Sequence, residues 1–369
     1  MRFFIVFALA LLTTVPCPLA AQEVEPLSLL GRVVDAETGE SLAGAHVFLA
    51  GSTLGATTDR DGYYRLDHLP PGQLEIAASM LGYEAASHRL NLSAADTTAL
   101  DFRLQPTVIV LGEVYVAAGR PEEWHQRLAT FEQLFLGTTD NAERSRLVNP
   151  EVLDFFVDDG HLRVEANAPL LIENRGLGYR VHYYLQEFEV LQGVVRYLGI
   201  PRFEELEPRN KREQRRWDRR RRAAYEGSLQ HFLSTLFTTG HVEDAEKAGF
   251  EVSVVPEFEF DPSSTYPVRS GSLLRPADEP HSRLLAFQDH LQIIYLPDVQ
   301  RRPSSSGVPG LSGASPSLDD YASWITLTNG PAVVDRFGYL FDPYAVTTFG
   351  RWSQERIAEI LPRDYQPSP

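Results

Sequence analysis

Between residues 27 and 105 the chain alternates short apolar runs with turn chemistry. Leu29 to Val34 predicts a strand, followed by the turn-rich Asp35-Ala36-Glu37-Thr38-Gly39-Glu40. In Ala45 to Ala50, His46, Phe48 and Ala50 fall on one face and Val47 and Leu49 on the other. Tyr63 to Leu66, Gln73 to Met80, His88 to Leu92 and Ala99 to Leu104 continue the pattern, with turns at Asp59-Arg60-Asp61-Gly62 and Pro70-Pro71-Gly72. No helical period interrupts them, so this stretch predicts an all-β sandwich of about seven strands.

The pattern changes after residue 121. Trp124, Leu128, Phe131, Leu134 and Phe135 recur at helical spacing, which predicts an amphipathic helix over 122–137. Strand-like runs come next at Val152 to Val157, His161 to Ala166, Leu170 to Ile172, Tyr179 to Leu185 and Phe188 to Leu198. Arg180, His182 and Tyr184 share one face there, as in a half-buried antiparallel sheet. Residues 206–238 predict one long helix, basic in its first half and apolar in its second at Tyr225, Leu229, Phe232, Leu233 and Leu236. Further strands are expected at 251–260, 283–296 and 321–328, a hairpin at Pro331 to Tyr344 and a closing helix at Gln354 to Leu361. Pro303 to Ser317 is Ser/Gly/Pro-rich and has the composition of a mobile loop. The expectation is therefore a sandwich over 27–105, a connector over 106–121 and an α+β domain over 122–365, with an antiparallel sheet and a long basic helix.

The first residues set the expected compartment. Met1-Arg2, the apolar run Phe3 to Leu12 and the small-residue exit ending at Ala21 have the layout of a signal peptide over 1–21. Cleavage after Ala21 removes Cys17, the only cysteine, so the mature chain would hold no disulfide and no thiolate metal site. A lipidated start at Cys17 is disfavoured by Pro16 before it. No later segment has the length and apolarity of a transmembrane helix. The net charge of −16 argues against nucleic acid as the partner.

Gly31-Arg32-Val33-Val34-Asp35, Thr38 to Val47, Gly55 to Tyr64 and Leu69-Pro70-Pro71-Gly72 resemble the carboxypeptidase regulatory-like domain, also found in front of TonB-dependent receptors. The resemblance implies a transthyretin/prealbumin-like sandwich. It does not extend to peptidase chemistry, because zinc needs a His-x-x-Glu pair and a third ligand. None of the ten histidines has Glu three residues later. Asp59-Arg60-Asp61-Gly62 lacks the alternating carboxylates of a calcium loop and reads as a turn. Val108 to Val116 resembles the segment leading to the receptor plug, but the remaining chain is too short for plug and barrel. A second resemblance, to uncharacterised exported Bacteroidota proteins, rests on four strings: Asn149 to Leu153, Ile172 to Tyr179, Ala224 to Leu233 and Ile357 to Pro362. It implies no activity.

Candidate chemistry is sparse. Lys211, Arg212, Arg215, Arg216, Arg219, Arg220 and Arg222 form a candidate patch for an anion or an acidic partner. The bland alternative is a solvated face neutralised by Glu204, Glu205 and Glu207. Tyr225, Gly227, Ser228 and His231 form a motif of unknown role. A serine inside a helix is no nucleophile elbow, and Ser228 with His231 at i, i+3 fits a hydrogen bond at the core edge. No phosphate loop, dinucleotide fingerprint or HExxH motif is present, so no cofactor and no metal are expected. Asp154, Asp158, Asp159, Glu257, Glu259 and Asp261 are carboxylates without a visible pairing.

Together these features point to a non-enzymatic envelope protein, periplasmic or associated with the outer membrane. Its sandwich would dock or space, and its second domain would bind an envelope protein, a glycan or a lipid headgroup. A carbohydrate- or peptidoglycan-binding module would need exposed coplanar aromatics such as Trp124, Tyr183, Tyr184 or Trp324. A hydrolase would need a deep pocket with two carboxylates or a Ser/His contact.

Overall fold

The computed structural model describes residues 27–93, 98–107, 119–256, 266–268, 271–279, 281–297 and 321–367. The expected signal peptide, the run Val108 to Val116, the carboxylates Glu257, Glu259 and Asp261, and the stretch Pro303 to Ser317 lie outside them.

The first part is a sandwich of two four-stranded sheets. Its strands are β1 (Leu27–Asp35), β2 (His46–Leu49), β3 (Gly55–Thr57), β4 (Tyr63–Leu69), β5 (Gly72–Ser79), β6 (Ala86–Leu92), β7 (Thr98–Ala99) and β8 (Phe102–Leu104). In one sheet β1 pairs with β4 antiparallel and with β7 and β8 parallel; the other runs β3-β2-β5-β6, antiparallel throughout. There are eight strands because the last expected one is interrupted at Leu100-Asp101. The Leu100 carbonyl accepts the Tyr64 hydroxyl at 2.6 Å, and the Asp101 carboxylate accepts the Arg32 N–H at 2.8 Å. This crossing needs Gly31, where a Cβ would stand 1.8 Å from the Leu100 oxygen. Asp59 Oδ1 accepts the N–H groups of Asp61 and Tyr63, each at 2.9 Å, and Gly62 has a φ of +78°. Asp59-Arg60-Asp61-Gly62 is thus a turn.

Strand β2 corrects the expected alternation. Val47 and Leu49 enter the sandwich core, yet Phe48 and Ala50 are buried as well. With Ala77 of β5 they form a second apolar cluster with Ile200 and Tyr184 from the C-terminal half. The sheet is covered on both faces, so its central strands are apolar on both.

Among the described residues the C-terminal half contains three sheets. After α1 (Glu122–Leu136) come β9 (Ser145–Leu147), β10 (Leu153–Asp158), β11 (His161–Ala166), β12 (Leu170–Asn174), β13 (Tyr179–Leu191) and β14 (Val194–Glu205). These make one antiparallel six-stranded sheet, in which β13 pairs with β12 and β11 on one side and β14 on the other. The pattern ended one strand at Leu185 and began the next at Phe188. The register only shifts there, and the chain reverses at Gln192 and Gly193, with φ of +51° and +80°. Helix α1 lays Phe131 and Phe135 on this sheet against Phe188 and Tyr183.

Next come α2 (Lys211–Tyr225), α3 (Leu229–Leu236) and α4 (Val242–Lys247), then β15 (Phe250–Val255), β16 (Tyr266–Pro267), β17 (Leu274–Pro276), β18 (Ser282–Leu285), β19 (His290–Tyr295), β20 (Ala322–Leu327), β21 (Ala332–Asp335) and β22 (Val346–Gly350). One sheet runs β16-β15-β19-β20-β22 and a smaller one β17-β18-β21, with α3 and α4 packed into their shared core. The expected strand 283–296 is therefore two strands in different sheets, with Asp289 between them at a φ of +62°. The expected closing helix is a short 3-10 turn, Arg351–Gln354, followed by turns in which Ile357 and Ala358 donate backbone hydrogen bonds to Phe135 and Leu136.

Candidate functional site: the basic helix and the interdomain seam

The expected single helix over 206–238 breaks in two. Gly227 adopts a φ of +82°, which favours glycine. Ser228 then caps α3: its hydroxyl accepts the His231 N–H at 3.1 Å and donates to the Tyr225 carbonyl at 2.7 Å. Ser228 is thus at a helix N-terminus, not inside a helix, and it meets the His231 backbone. The His231 ring accepts the Gly227 N–H through Nδ1 at 3.1 Å and packs against Tyr225, Phe250 and Tyr295. Burial pushes its pKa down to about 4. The Tyr225 hydroxyl meets Ser234, and Trp352 donates to the Gly227 carbonyl at 2.7 Å. These four residues build a corner and form no nucleophile–base pair.

Helix α2 starts at Asn210, whose side chain accepts the N–H groups of Arg212 and Glu213 at 3.0 Å each. One stripe of its basic half docks, through Glu213, Trp217 and Arg221, one turn apart and all buried. Trp217 donates to the Arg175 carbonyl at 2.9 Å, and its ring lies so close to Gly178 that a Cβ there would sit 2.3 Å from it. Arg221 donates to the carbonyls of Leu177 at 2.7 Å and Gly178 at 3.2 Å and pairs with Glu205 at 2.8 Å. Its guanidinium lies 4.0 Å from the centroid of the Tyr179 ring.

The remaining cations face outward. Lys211, Arg212, Arg215, Arg216, Arg219 and Arg222 are exposed and Arg220 is half-buried. Arg216 lies 3.9 Å from Glu213. Among the described residues no carboxylate reaches ion-pair distance of Lys211, Arg212, Arg215, Arg219 or Arg220. Burial and the neighbouring charges of Arg144, Arg216 and Arg219 push the Arg220 pKa down. The neutralisation by Glu204, Glu205 and Glu207 forms only at Arg221, which pairs with Glu205; Glu204 faces Arg180 and His182, and among the described residues Glu207 has no ion pair.

Nothing in the pattern marked the seam between the sandwich and the C-terminal half. The Gly51 N–H donates to the Pro201 carbonyl at 2.7 Å, and Phe203 donates to Ser52 at 3.0 Å. Arg363 donates from its backbone to the Gly51 carbonyl at 2.6 Å and from its side chain to Gln73 at 3.1 Å. The same guanidinium pairs with Asp335 at 2.6 Å, and both residues are buried. Thr53 and Asp364 add two bonds, Arg89 reaches the Phe341 carbonyl at 2.9 Å, and Phe48 stacks on Tyr184 with centroids 5.5 Å apart. One arginine near the end of the chain thus ties together three elements far apart in sequence.

The aromatics of the carbohydrate reading are mostly used up by packing. Trp124 and Tyr183 are buried, Tyr184 is against Phe48, and Trp324 is half-buried beside Gly350. They form no exposed platform.

Residues 28–105 match the family model of the carboxypeptidase regulatory-like domain. The sandwich is a carboxypeptidase regulatory-like domain. It is 36% identical over 85 residues to part of carboxypeptidase D from Anas platyrhynchos, a match that covers 22% of this chain and 6% of that protein. Solved structures with a likeness to the chain include the C-terminal domain of the shaft pilin spaA from Lactobacillus rhamnosus GG, at 17% identity and a TM-score of 0.19, covering 23% of this chain and 100% of the pilin domain. A group B streptococcus pilus 2b backbone protein matches at 18% identity and a TM-score of 0.19, over 22% of this chain and 41% of its own. The matched family is the regulatory-like domain, which is not catalytic, and the four seam segments Gly51–Thr53, Gln73, Phe48 and Arg89 all belong to it.

Proposed function

We propose that this chain is an exported, non-enzymatic binding protein of the cell envelope. Its regulatory-like domain is a docked buttress, and the outer face of α2 is the contact surface for an anionic partner. The observation that carries the reading is that Lys211, Arg212, Arg215 and Arg219 have no carboxylate at ion-pair distance among the described residues, on a chain whose net charge is −16. A strongly acidic chain can neutralise its own arginines at small cost, so an unpaired row on a rigidly seated helix is positioned for an outside anion. The seam supports the buttress role, because it holds the domain by backbone hydrogen bonds, the Arg363 bond to Gln73 and an apolar cluster. Membership of the C-terminal half among exported Bacteroidota proteins belongs to the same proposal. Its support is that two of the four strings meet in the fold, where the Asn174 side chain donates to the Ala358 carbonyl.

The test replaces Lys211, Arg212, Arg215 and Arg219 together by Glu in the full chain. None of the four is among the buried residues of α2, so circular dichroism and thermal unfolding should be unchanged. Sedimentation with the envelope fraction should be lost, and in the parent protein it should weaken steeply with added salt. Unaltered fractionation of a folded variant would refute the reading.

A further inference from the structure

A cavity of about 330 Å³ lies where the regulatory-like domain, the six-stranded sheet, α3 and the C-terminal turns meet. That is within the range of small-molecule sites. Its walls include Phe203 of β14, Leu229 of α3, Tyr339 after β21, and Trp352. The Trp352 ring is held by its bond to the Gly227 carbonyl. Two carboxyl groups open on this apolar space, Glu355 and Glu359. They differ in what holds them. Glu359 accepts Thr139 through one oxygen and Asn141 through the other at 2.9 Å, which fixes the position of its carboxylate. The carboxyl group of Glu355 has no hydrogen-bond partner among the described residues.

Glu355 is half-buried, so a ligand in the cavity can reach its carboxyl group. An anion would meet two carboxyl groups here. The cation on the opposite wall, Arg363, is already paired with Asp335. A cation would gain from both glutamates and from the faces of the aromatic walls. We infer that this cavity binds a small molecule carrying one protonated amine on an apolar body, with Glu355 as its direct partner and Glu359 as a fixed second charge. The site is separate from the basic face of α2, so either proposal can fail without the other.

Proton linkage makes the inference measurable. Burial, reinforced by Glu359 and opposed by Arg351, pushes the Glu355 pKa up to about 8. The groups that bear on it are Glu359 and Arg351 on its own segment, Ser228 on α3, and Tyr339 and Arg363 across the cavity. An ammonium ion needs Glu355 ionised, so binding near neutrality should expel close to one proton per ligand. The probe is phenethylamine, with 2-phenylethanol as the uncharged control, titrated into the full chain by calorimetry in buffers of different ionisation heats. Affinity for the amine should rise about tenfold per pH unit from pH 6 toward 8 and then level. Glu355→Gln should weaken binding at pH 8 by at least about tenfold and abolish proton release, while Glu359→Gln should weaken it less. Equal affinity for the alcohol, binding without proton release, or unchanged binding in folded Glu355→Gln would each overturn the inference.

Discussion

Arg363→Ala is the sharpest test of how the two halves are joined. Arg363 is 3% exposed and Asp335 4%, and the guanidinium contacts Asp335 through two nitrogens, at 2.7 and 2.6 Å. It also lies 4.8 and 5.3 Å from the ring centroids of Tyr339 and Phe341. Removing one partner of such a pair leaves a buried charge uncompensated, which costs ~3–5 kcal/mol. Asp335 keeps some support, because its other oxygen accepts the N–H groups of Phe337 and Tyr339 at 2.8 Å each. The expected loss is therefore toward the lower end, ~3 kcal/mol. With a urea m-value of ~3 kcal/mol/M, the unfolding midpoint should fall by about 1 M. Far-UV circular dichroism and tryptophan fluorescence would follow the transition. A double variant, Arg363→Met with Asp335→Asn, removes both charges while keeping the apolar stem and the turn acceptor. It should recover most of the loss. A single-variant loss below ~1 kcal/mol, or a double variant no better than the single, would refute Arg363 and Asp335 as a coupled buried pair beneath the seam.

Two further outcomes rest on the frame around α2 and α3. Gly178→Ala places a Cβ 2.3 Å from the Trp217 ring at a φ of +74°, so strain and overpacking should together cost ~2–5 kcal/mol, read as a drop in thermal midpoint. The folded-state pKa of His231 is about 4 against an ordinary 6.5, so the unfolded chain binds the extra proton between those values. Its contribution, ~1–3 kcal/mol, is present above about pH 6.5 and is lost as pH falls toward 4. His231→Phe should flatten that limb of the urea midpoint against pH, and an unchanged slope would count against the buried neutral ring.

Much of the sandwich was legible because strand alternation and turn residues are local signals. The turn at Asp59-Arg60-Asp61-Gly62 needs only its own side chain and a glycine, and it formed as expected. The helix over 206–238 shows where local pattern fails. Its apolar and basic periodicities are both helical, and the break comes from Gly227 and the Ser228 cap, whose geometry is fixed by the Trp352 bond from 125 residues away. The stripe Glu213, Trp217 and Arg221 was present in the spacing, but Arg221 is chemically indistinguishable from its neighbours in a run of arginines. Only the carbonyls of Leu177 and Gly178 single it out.

By itself the sequence determined the regulatory-like sandwich, the mixed helix-and-strand character of the C-terminal half and the position of the basic row, because each depends on neighbours within a few residues. The tertiary structure alone decided which arginines are spent and which are left over. It also seated the sandwich through Arg363, and it brought Glu355 and Glu359 to the wall of one cavity. Those outcomes depend on contacts between residues far apart in the chain, and no periodicity records who will be opposite whom.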